Sequence, residues 1–282
     1  MKPEAGPKVV AITGAARGIG LATAKAFAAQ GARVAIGDVD LDLAKESAAT
    51  VPGAAVALPL DVTDPESFAA FLADAESALG PIDVLVNNAG VMLTGEFLDE
   101  KRAAAGKMMA INLGGVITGA QLAARRFVDR GSGHIVNIAS MAGAAGFPGV
   151  ATYCGTKFGV VGFTLALREE LAPRGVQVSA VLPGIVHTEL SAGLQISPIM
   201  EKFGSVEPDD IACAVVRVVE RDRALTYVPG RLGAALRTAN AIPERVRRSI
   251  YRRLRAERLY LNVDQATRDV YHARANSVSD AS

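Results

Sequence analysis

Three side chains near the middle of this chain could carry acid–base chemistry: Ser140, Tyr153 and Lys157. Tyr153 and Lys157 are four residues apart, a spacing that brings two side chains to one face of a helix. Lys157 is therefore expected to hold its ammonium beneath the Tyr153 hydroxyl. A phenol titrates near pH ~10 and is a poor base at neutral pH, whereas a fixed cation beside it favours the phenolate. Such a pair suits proton exchange with an alcohol or a ketone. Taken alone, it also fits a surface Lys beside a half-buried Tyr, because the chain holds five Tyr and so short a motif recurs by chance. The surrounding elements decide between the two.

Those elements alternate. Short apolar runs at Val9–Thr13, Arg33–Gly37, Ala55–Pro59, Val84–Val86, His134–Ile138, Gln177–Val181 and Leu225–Val228 read as strands. Between them, Gly18–Gln30, Leu41–Thr50, Pro65–Leu79, Lys101–Arg130, Ala151–Leu171 and Pro208–Glu220 read as helices. Buried strands each followed by a helix build βαβ units, and right-handed crossovers wind these into an α/β doubly wound parallel sheet of the Rossmann type. Ligands of such a sheet bind at the carboxyl ends of its strands. The expected organisation is one catalytic domain over residues 1–230, followed by a basic, helical C-terminal extension over residues 231–282.

The turn from Thr13 to Gly20 follows the first strand and opens the first helix. Gly14, Gly18 and Gly20 fall where a backbone must turn tightly and approach a diphosphate, and the free N–H groups of the helix start face that anion. About 20 residues on, the second strand ends at Asp38, whose carboxylate can accept from adenosine ribose hydroxyls and would repel a 2′-phosphate. No basic residue follows in Val39 or Asp40, which points to NAD. Arg17, inside the turn, could reach a 2′-phosphate and keeps NADP as the alternative.

Composition narrows the field. Of 282 residues 50% are hydrophobic, enough for one large α/β domain, and the net charge of +1 gives no reason to expect a nucleic-acid partner. The two cysteines, Cys154 and Cys213, are too few for a disulfide framework and fit a reducing compartment. No apolar leader stands at the start and no run of about 18 apolar residues follows, so a cytoplasmic location is expected. His134, His187 and His272 lack metal-ligand spacing, and no metal is expected.

These motifs occur together in the order found in the short-chain dehydrogenases/reductases, which the chain resembles over roughly residues 8–230. The resemblance rests on the glycine turn at 13–20, Asp61-Val62, Asn87 to Gly90, Asn112, Ser140, the Tyr153/Lys157 pair, and Pro183-Gly184 with Val186 and Thr188. It implies that Tyr153 is the general acid/base, that Lys157 lowers its pKa and binds the nicotinamide ribose, and that Ser140 orients the substrate oxygen. Asn112 would hold a water that links Lys157 to solvent. Gly14, Gly18 and Gly20 would hold the diphosphate, with Arg17 and Ile19 of the same turn also at the cofactor, Asp61 and Val62 would hold the adenine, and Asn88, Ala89 and Gly90 the cofactor's flank. Pro183, Gly184, Val186 and Thr188 would meet the nicotinamide carboxamide and the nearby phosphate. The implied reaction moves hydride between nicotinamide and a secondary alcohol or ketone. An NADP-dependent reductase of 3-ketoacyl thioesters is one alternative, and a non-catalytic dinucleotide sensor or scaffold is another. Family members form homo-dimers or homo-tetramers through the long helices, here around 101–130 and 151–171.

The apolar residues Leu190, Leu194, Ile196, Ile199, Met200 and Phe203 suggest a lid, and Met141, Ala144, Phe147 and Pro148 a second wall, around a lipophilic alcohol or ketone. The extension beyond Gly230 departs from the short family members. Val246, Ile250, Leu254 and Leu261 recur at helical spacing among Arg245, Arg247, Arg248, Arg252, Arg253, Arg255 and Arg258. A basic amphipathic helix of this kind can make peripheral contact with an anionic membrane, or pack on a subunit or on its own core. Ala273–Ser282 reads as a disordered end.

Overall fold

The structure, a computed structural model, describes residues 7–196, 198–233, 245 and 258–277. Its centre is a parallel sheet of seven strands: β1 (Val9–Thr13), β2 (Arg33–Asp38), β3 (Ala55–Pro59), β4 (Val84–Asn87), β5 (Gly133–Ile138), β6 (Val176–Pro183) and β9 (Leu225–Val228). Their order is β3-β2-β1-β4-β5-β6-β9, so the winding reverses between β1 and β4. A crevice opens at that reversal, where doubly wound sheets take their ligands.

Alternation along each strand builds two cores. Val10 and Ile12 of β1 and Val34 and Ile36 of β2 face α1 (Gly18–Ala28), α2 (Leu41–Ala48) and α8 (Pro208–Arg221). Val9 and Ala11, with Ala35, face the other way, towards α3 (Pro65–Leu79), α5 (Gly115–Arg130) and α6 (Ala151–Leu171). Because both faces are covered, the strands read as continuous apolar runs rather than as alternating ones.

The single helix expected over Lys101–Arg130 is broken. It divides into α4 (Arg102–Met109), a π-turn over Ala110–Gly114, and α5. The π-turn carries Asn112, whose amide grips the backbone of Val91: Oδ1 accepts from Val91 N at 2.8 Å and Nδ2 donates to Val91 O at 2.8 Å. π-turns of this sort interrupt helices frequently at functional sites.

After β6 the chain makes β7 (Ile185–Val186), pairs it with β8 (Ser205–Val206), and carries α7 (Pro198–Gly204) between them. Two further helices, α9 (Arg258–Leu261) and α10 (Gln265–Ser277), return over this region. An isolated bridge joins Leu194 to Val263, and Asp264 N donates to Gly193 O at 2.8 Å. The disordered end expected from Ala273 onward is corrected in part, since α10 runs on through Ser277. The expected basic amphipathic helix around Val246, Ile250 and Leu254 lies outside the described residues. Among the described residues, no helix is long and apolar enough to cross a membrane.

Candidate active site

A cleft of about 740 Å³ runs along the carboxyl ends of the strands. That is within the usual range for a small-molecule or cofactor site, roughly 300–1,000 Å³. Every residue expected in catalysis or cofactor binding lines it except Gly20 and Asn112. These two stand just behind its wall.

The glycine turn forms one end. Gly14 holds φ +61°, and a Cβ there would lie 2.7 Å from Ala89 Cα, so β4 and the turn approach as only glycine allows. At Gly20 a Cβ would lie 2.5 Å from Gly14 O and 2.7 Å from Asn88 Nδ2, which makes it a packing glycine. Asn88, expected to flank a cofactor, spends its amide on the turn itself, donating to Thr13 O at 2.9 Å and to Gly14 O at 2.8 Å. Thr13 Oγ1 in turn accepts from Asn88 N and Ala89 N, each at 3.0 Å. The turn is therefore stitched to the neighbouring strand, with no room between them for a side chain at Gly14.

Asp38 closes this end. Its Oδ2 accepts from Ala16 N at 2.9 Å and its Oδ1 from Asp40 N at 3.1 Å. Burial pushes its carboxyl above the ordinary range, while these two N–H donors and the Arg17 charge oppose that rise. Arg17 does not point freely into the cleft. Its guanidinium spans the mouth between Asp40, at 2.9 Å, and Glu189, at 3.1 Å. Asp61 takes Thr63 N at 2.8 Å and Thr63 Oγ1 at 2.7 Å on its Oδ1.

The residues expected to carry acid–base chemistry meet farther along. Ser140 ends the segment after β5, and its Oγ accepts from Ala142 N at 3.1 Å and hydrogen-bonds Tyr153. Tyr153 and Lys157 share a face of α6 and are both buried. Lys157 Nζ is 5.7 Å from the Tyr153 ring centroid and donates to Ile138 O at 2.9 Å. Burial drives the Tyr153 phenol well above its ordinary value, opposed by the Ser140 hydrogen bond. Burial also pulls Lys157 down to about 8. Asn112 uses its side chain on Val91 and on Thr156 Oγ1, the latter at 3.2 Å.

At the far end the wall differs from the one expected. Leu190 and Leu194 line the cleft, but Met141, Ala144, Phe147 and Pro148 do not. Their place is taken by Val91, Met92, Tyr260 and Tyr271. Phe147 instead packs edge-on against the Tyr260 ring, with centroids 5.9 Å apart. The side chains of Ile199, Met200 and Phe203 are outside the described residues. Arg268 of α10, fully buried, holds this wall together: it donates to Leu190 O at 2.8 Å, Ala192 O at 3.3 Å and Met92 O at 2.7 Å. Nothing local in the sequence marks Tyr260, Arg268 or Tyr271, because their partners are distant along the chain.

The remaining sequence candidates take structural places. Cys154 Sγ accepts from Phe147 N at 3.4 Å, and His134 Nε2 is 2.8 Å from Ser179 Oγ with its pKa lowered by burial to about 4. His187 is held between Glu201, at 2.9 Å, and Glu207, at 2.6 Å.

Fold, glycine cradle and the Ser–Tyr–Lys cluster define a dinucleotide-dependent class of protein, and comparison with known proteins names it. The short chain dehydrogenase family profile matches residues 8–197, so the chain belongs to that family, whose members use a nicotinamide dinucleotide. A probable oxidoreductase EphD from Mycobacterium tuberculosis is 34% identical over 262 residues, covering 86% of this chain and 44% of its own length. The chain thus spans less than half of that relative. A sorbitol dehydrogenase from Cereibacter sphaeroides is 40% identical over 183 residues, 64% of this chain and 72% of that protein. A 3-oxoacyl-[acyl-carrier-protein] reductase from a Synechocystis species is 34% identical over 233 residues, 79% of this chain and 93% of that protein.

Proposed function

We propose that this chain is an NAD-dependent oxidoreductase that interconverts a lipophilic secondary alcohol and its ketone, with Tyr153 as general acid/base. The observation that carries the choice of NAD is the pairing of Asp38 with an occupied Arg17. The carboxylate terminates β2 where ribose hydroxyls would be accepted, and the one nearby cation that the sequence offered to a 2′-phosphate is tied to Asp40 and Glu189. A bound nicotinamide supplies or accepts the hydride.

The protein's own residues do the rest. The turn at Gly14, Gly18 and Ile19 offers backbone N–H groups and a helix start to a diphosphate. Asp61 and Val62 would meet the adenine, Ala89 and Gly90 the cofactor's flank, and Pro183, Gly184, Val186 and Thr188 its carboxamide end. Ser140 donates to the substrate oxygen and steadies charge developing there. Tyr153 gives or takes the proton at its hydroxyl. Lys157, with a pKa of about 8, remains mostly protonated at neutral pH and adds the positive field that favours a phenolate against the effect of burial. Because the Asn112 side chain is committed to Val91 and Thr156, a water relay at this point would run along its backbone. The apolar wall of Met92, Leu190, Leu194 and the two tyrosines supports a lipophilic substrate.

Replacing Tyr153 with Phe tests the reading. Turnover of secondary alcohols should fall by ~10²–10⁴-fold, the usual contribution of a positioned acid/base, while NADH still binds. A variant that kept its function unchanged would make the protein a sensor or scaffold. A panel in which small polar alcohols outperform long apolar ones would remove the lipophilic part. The similarity to a 3-oxoacyl-carrier reductase supports a second reading, an NADP-dependent thioester reductase, which Asp38 opposes. We further propose a homo-oligomer formed through α5 and α6, where Ile117, Phe158 and Leu165 are 41%, 47% and 40% exposed. Sedimentation equilibrium should give a dimer or tetramer, and a monomer at micromolar concentration would reject it.

A further inference from the structure

At the far end of the cleft, beside the apolar Val91, Met92, Leu190 and Leu194, stand two phenols, and both come from the C-terminal segment. Tyr260 and Tyr271 line the same cleft as Tyr153, close enough for each to bear electrostatically on it. Tyr271 Oη accepts from Met92 N at 3.1 Å, which fills an acceptor position and leaves the O–H without an acceptor among the described residues. The Tyr260 hydroxyl has no hydrogen-bond partner among the described residues, although its ring is fixed against Phe147. Both phenols face the cleft with no protein acceptor among the described residues, so their O–H groups are open to a ligand or to water.

Arg268 sets the polarity of this end. Its guanidinium stacks 4.7 Å from the Tyr271 ring centroid, has no carboxylate partner among the described residues, and leaves Nε unpartnered among them. Glu189, the carboxylate that bears on Tyr271, is engaged by Arg17 at 3.1 Å. Burial raises both phenols above their ordinary value, so both are neutral O–H donors at physiological pH, while the cation behind them strengthens donation to an electron-rich atom. Neither phenol hydrogen-bonds Tyr153, as Ser140 does.

From this geometry we infer that Tyr260 and Tyr271 form a second polar anchor, which binds a hydrogen-bond-accepting oxygen of the substrate other than the one that reacts. The substrate is then bifunctional: an apolar skeleton with a secondary alcohol or ketone at Tyr153, and a second oxygen, carbonyl or carboxylate, at the far end. This inference rests on the lipophilic alcohol reading above and narrows it. Two donors backed by a cation disfavour a purely hydrocarbon end, because filling the site with apolar groups would leave both hydroxyls unsatisfied.

The test compares medium-chain secondary alcohols with counterparts that carry a ketone or a carboxylate at successive carbons, in wild type, Tyr260→Phe and Tyr271→Phe. Each variant keeps the ring and its packing. Tyr260→Phe removes a hydroxyl with no protein partner among the described residues, so it is the safer variant for folding. The readout is the ratio of kcat/KM for the bifunctional substrate over its parent, and the same ratio of Kd values in the NADH complex by calorimetry. The wild type should prefer the bifunctional compound, and each variant should lower that ratio by about tenfold, chiefly through KM. Preference for the carboxylate over the ketone would assign an anionic substrate, and the reverse a neutral one. A purely structural role would move both substrates together and leave the ratio unchanged, which would overturn the anchor, as would a wild type without preference. Small polar alcohols outperforming long ones, with the ratio still falling in the variants, would reject the lipophilic reading and keep the anchor.

Discussion

The two ends of the cleft are built in opposite ways. The glycine end is made by three strands that are neighbours in the sheet: the turn after β1, Asp38 at the end of β2, and Asn88 after β4, locked by short backbone and amide hydrogen bonds. The tyrosine end is assembled from segments far apart, Met92, Leu190 and the α9–α10 segment, with one buried guanidinium bonded to three carbonyls. The first end has little freedom to vary its ligand. The second can change its chemistry by exchanging a few side chains on a segment outside the sheet, which is the arrangement expected when one cofactor serves many substrates.

Perturbing the glycine end should have the largest effect. Gly14→Val places a β-branched side chain at φ +61° and drives its Cβ to 2.7 Å from Ala89 Cα. Strain and overpacking there cost of order 1–3 kcal/mol each. Calorimetry should find no NADH binding, and the melting temperature should fall. Retained NADH affinity would mean that the cradle tolerates far more than its packing implies.

The tyrosine end gives the complementary result. Arg268→Met strips a donor from Met92, Leu190 and Ala192, and unsatisfied buried groups cost about 1–3 kcal/mol apiece, less whatever water recovers. Thermal unfolding should show the loss, and turnover should drop with it, while NADH affinity stays within about twofold because the glycine end lies beyond direct contact. An equal loss of NADH affinity would show that the two ends are not separable.

The smallest effect concerns α7. His187 has its pKa raised above the ordinary 6.5 by the Glu207 hydrogen bond, with Glu201 adding to it. Its protonated form is favoured by folding, so its contribution is fully present below pH 6.5 and fades as pH rises through the higher folded value. The His187→Gln variant should lack this slope in thermal unfolding between mildly acidic and alkaline buffers. The side chain is exposed, so the difference will be slight, and an identical slope in the variant would place the pH dependence elsewhere.

The same contrast explains what could be read from the residues alone. Every strand of the main sheet was legible to within one or two residues, because a strand buried on both sides is a run of Val, Ile, Leu and Ala. The glycine turn and Asp38 were legible because each directly follows or ends a strand that its own apolar run marks. The break at Ala110–Gly114 was not, because it depends on Asn112 gripping Val91, 21 residues away. Tyr260, Arg268 and Tyr271 were not legible for the same reason, since α10 meets Met92 176 residues back along the chain. Helical spacing put Lys157 and Tyr153 on one face, but not the Ile138 carbonyl that takes the ammonium, nor the burial that outweighs the Ser140 hydrogen bond at the phenol.

The most direct test of the account is a side-by-side calorimetric titration of the protein with NADH and NADPH. If Asp38 reads the ribose while Arg17 is held by Asp40 and Glu189, NADH binds at least tenfold more tightly. Tighter NADPH would mean that Arg17 leaves its carboxylates for a 2′-phosphate, and would contradict the assignment of NAD and with it the reading of the cleft as that of an NAD-dependent alcohol oxidoreductase.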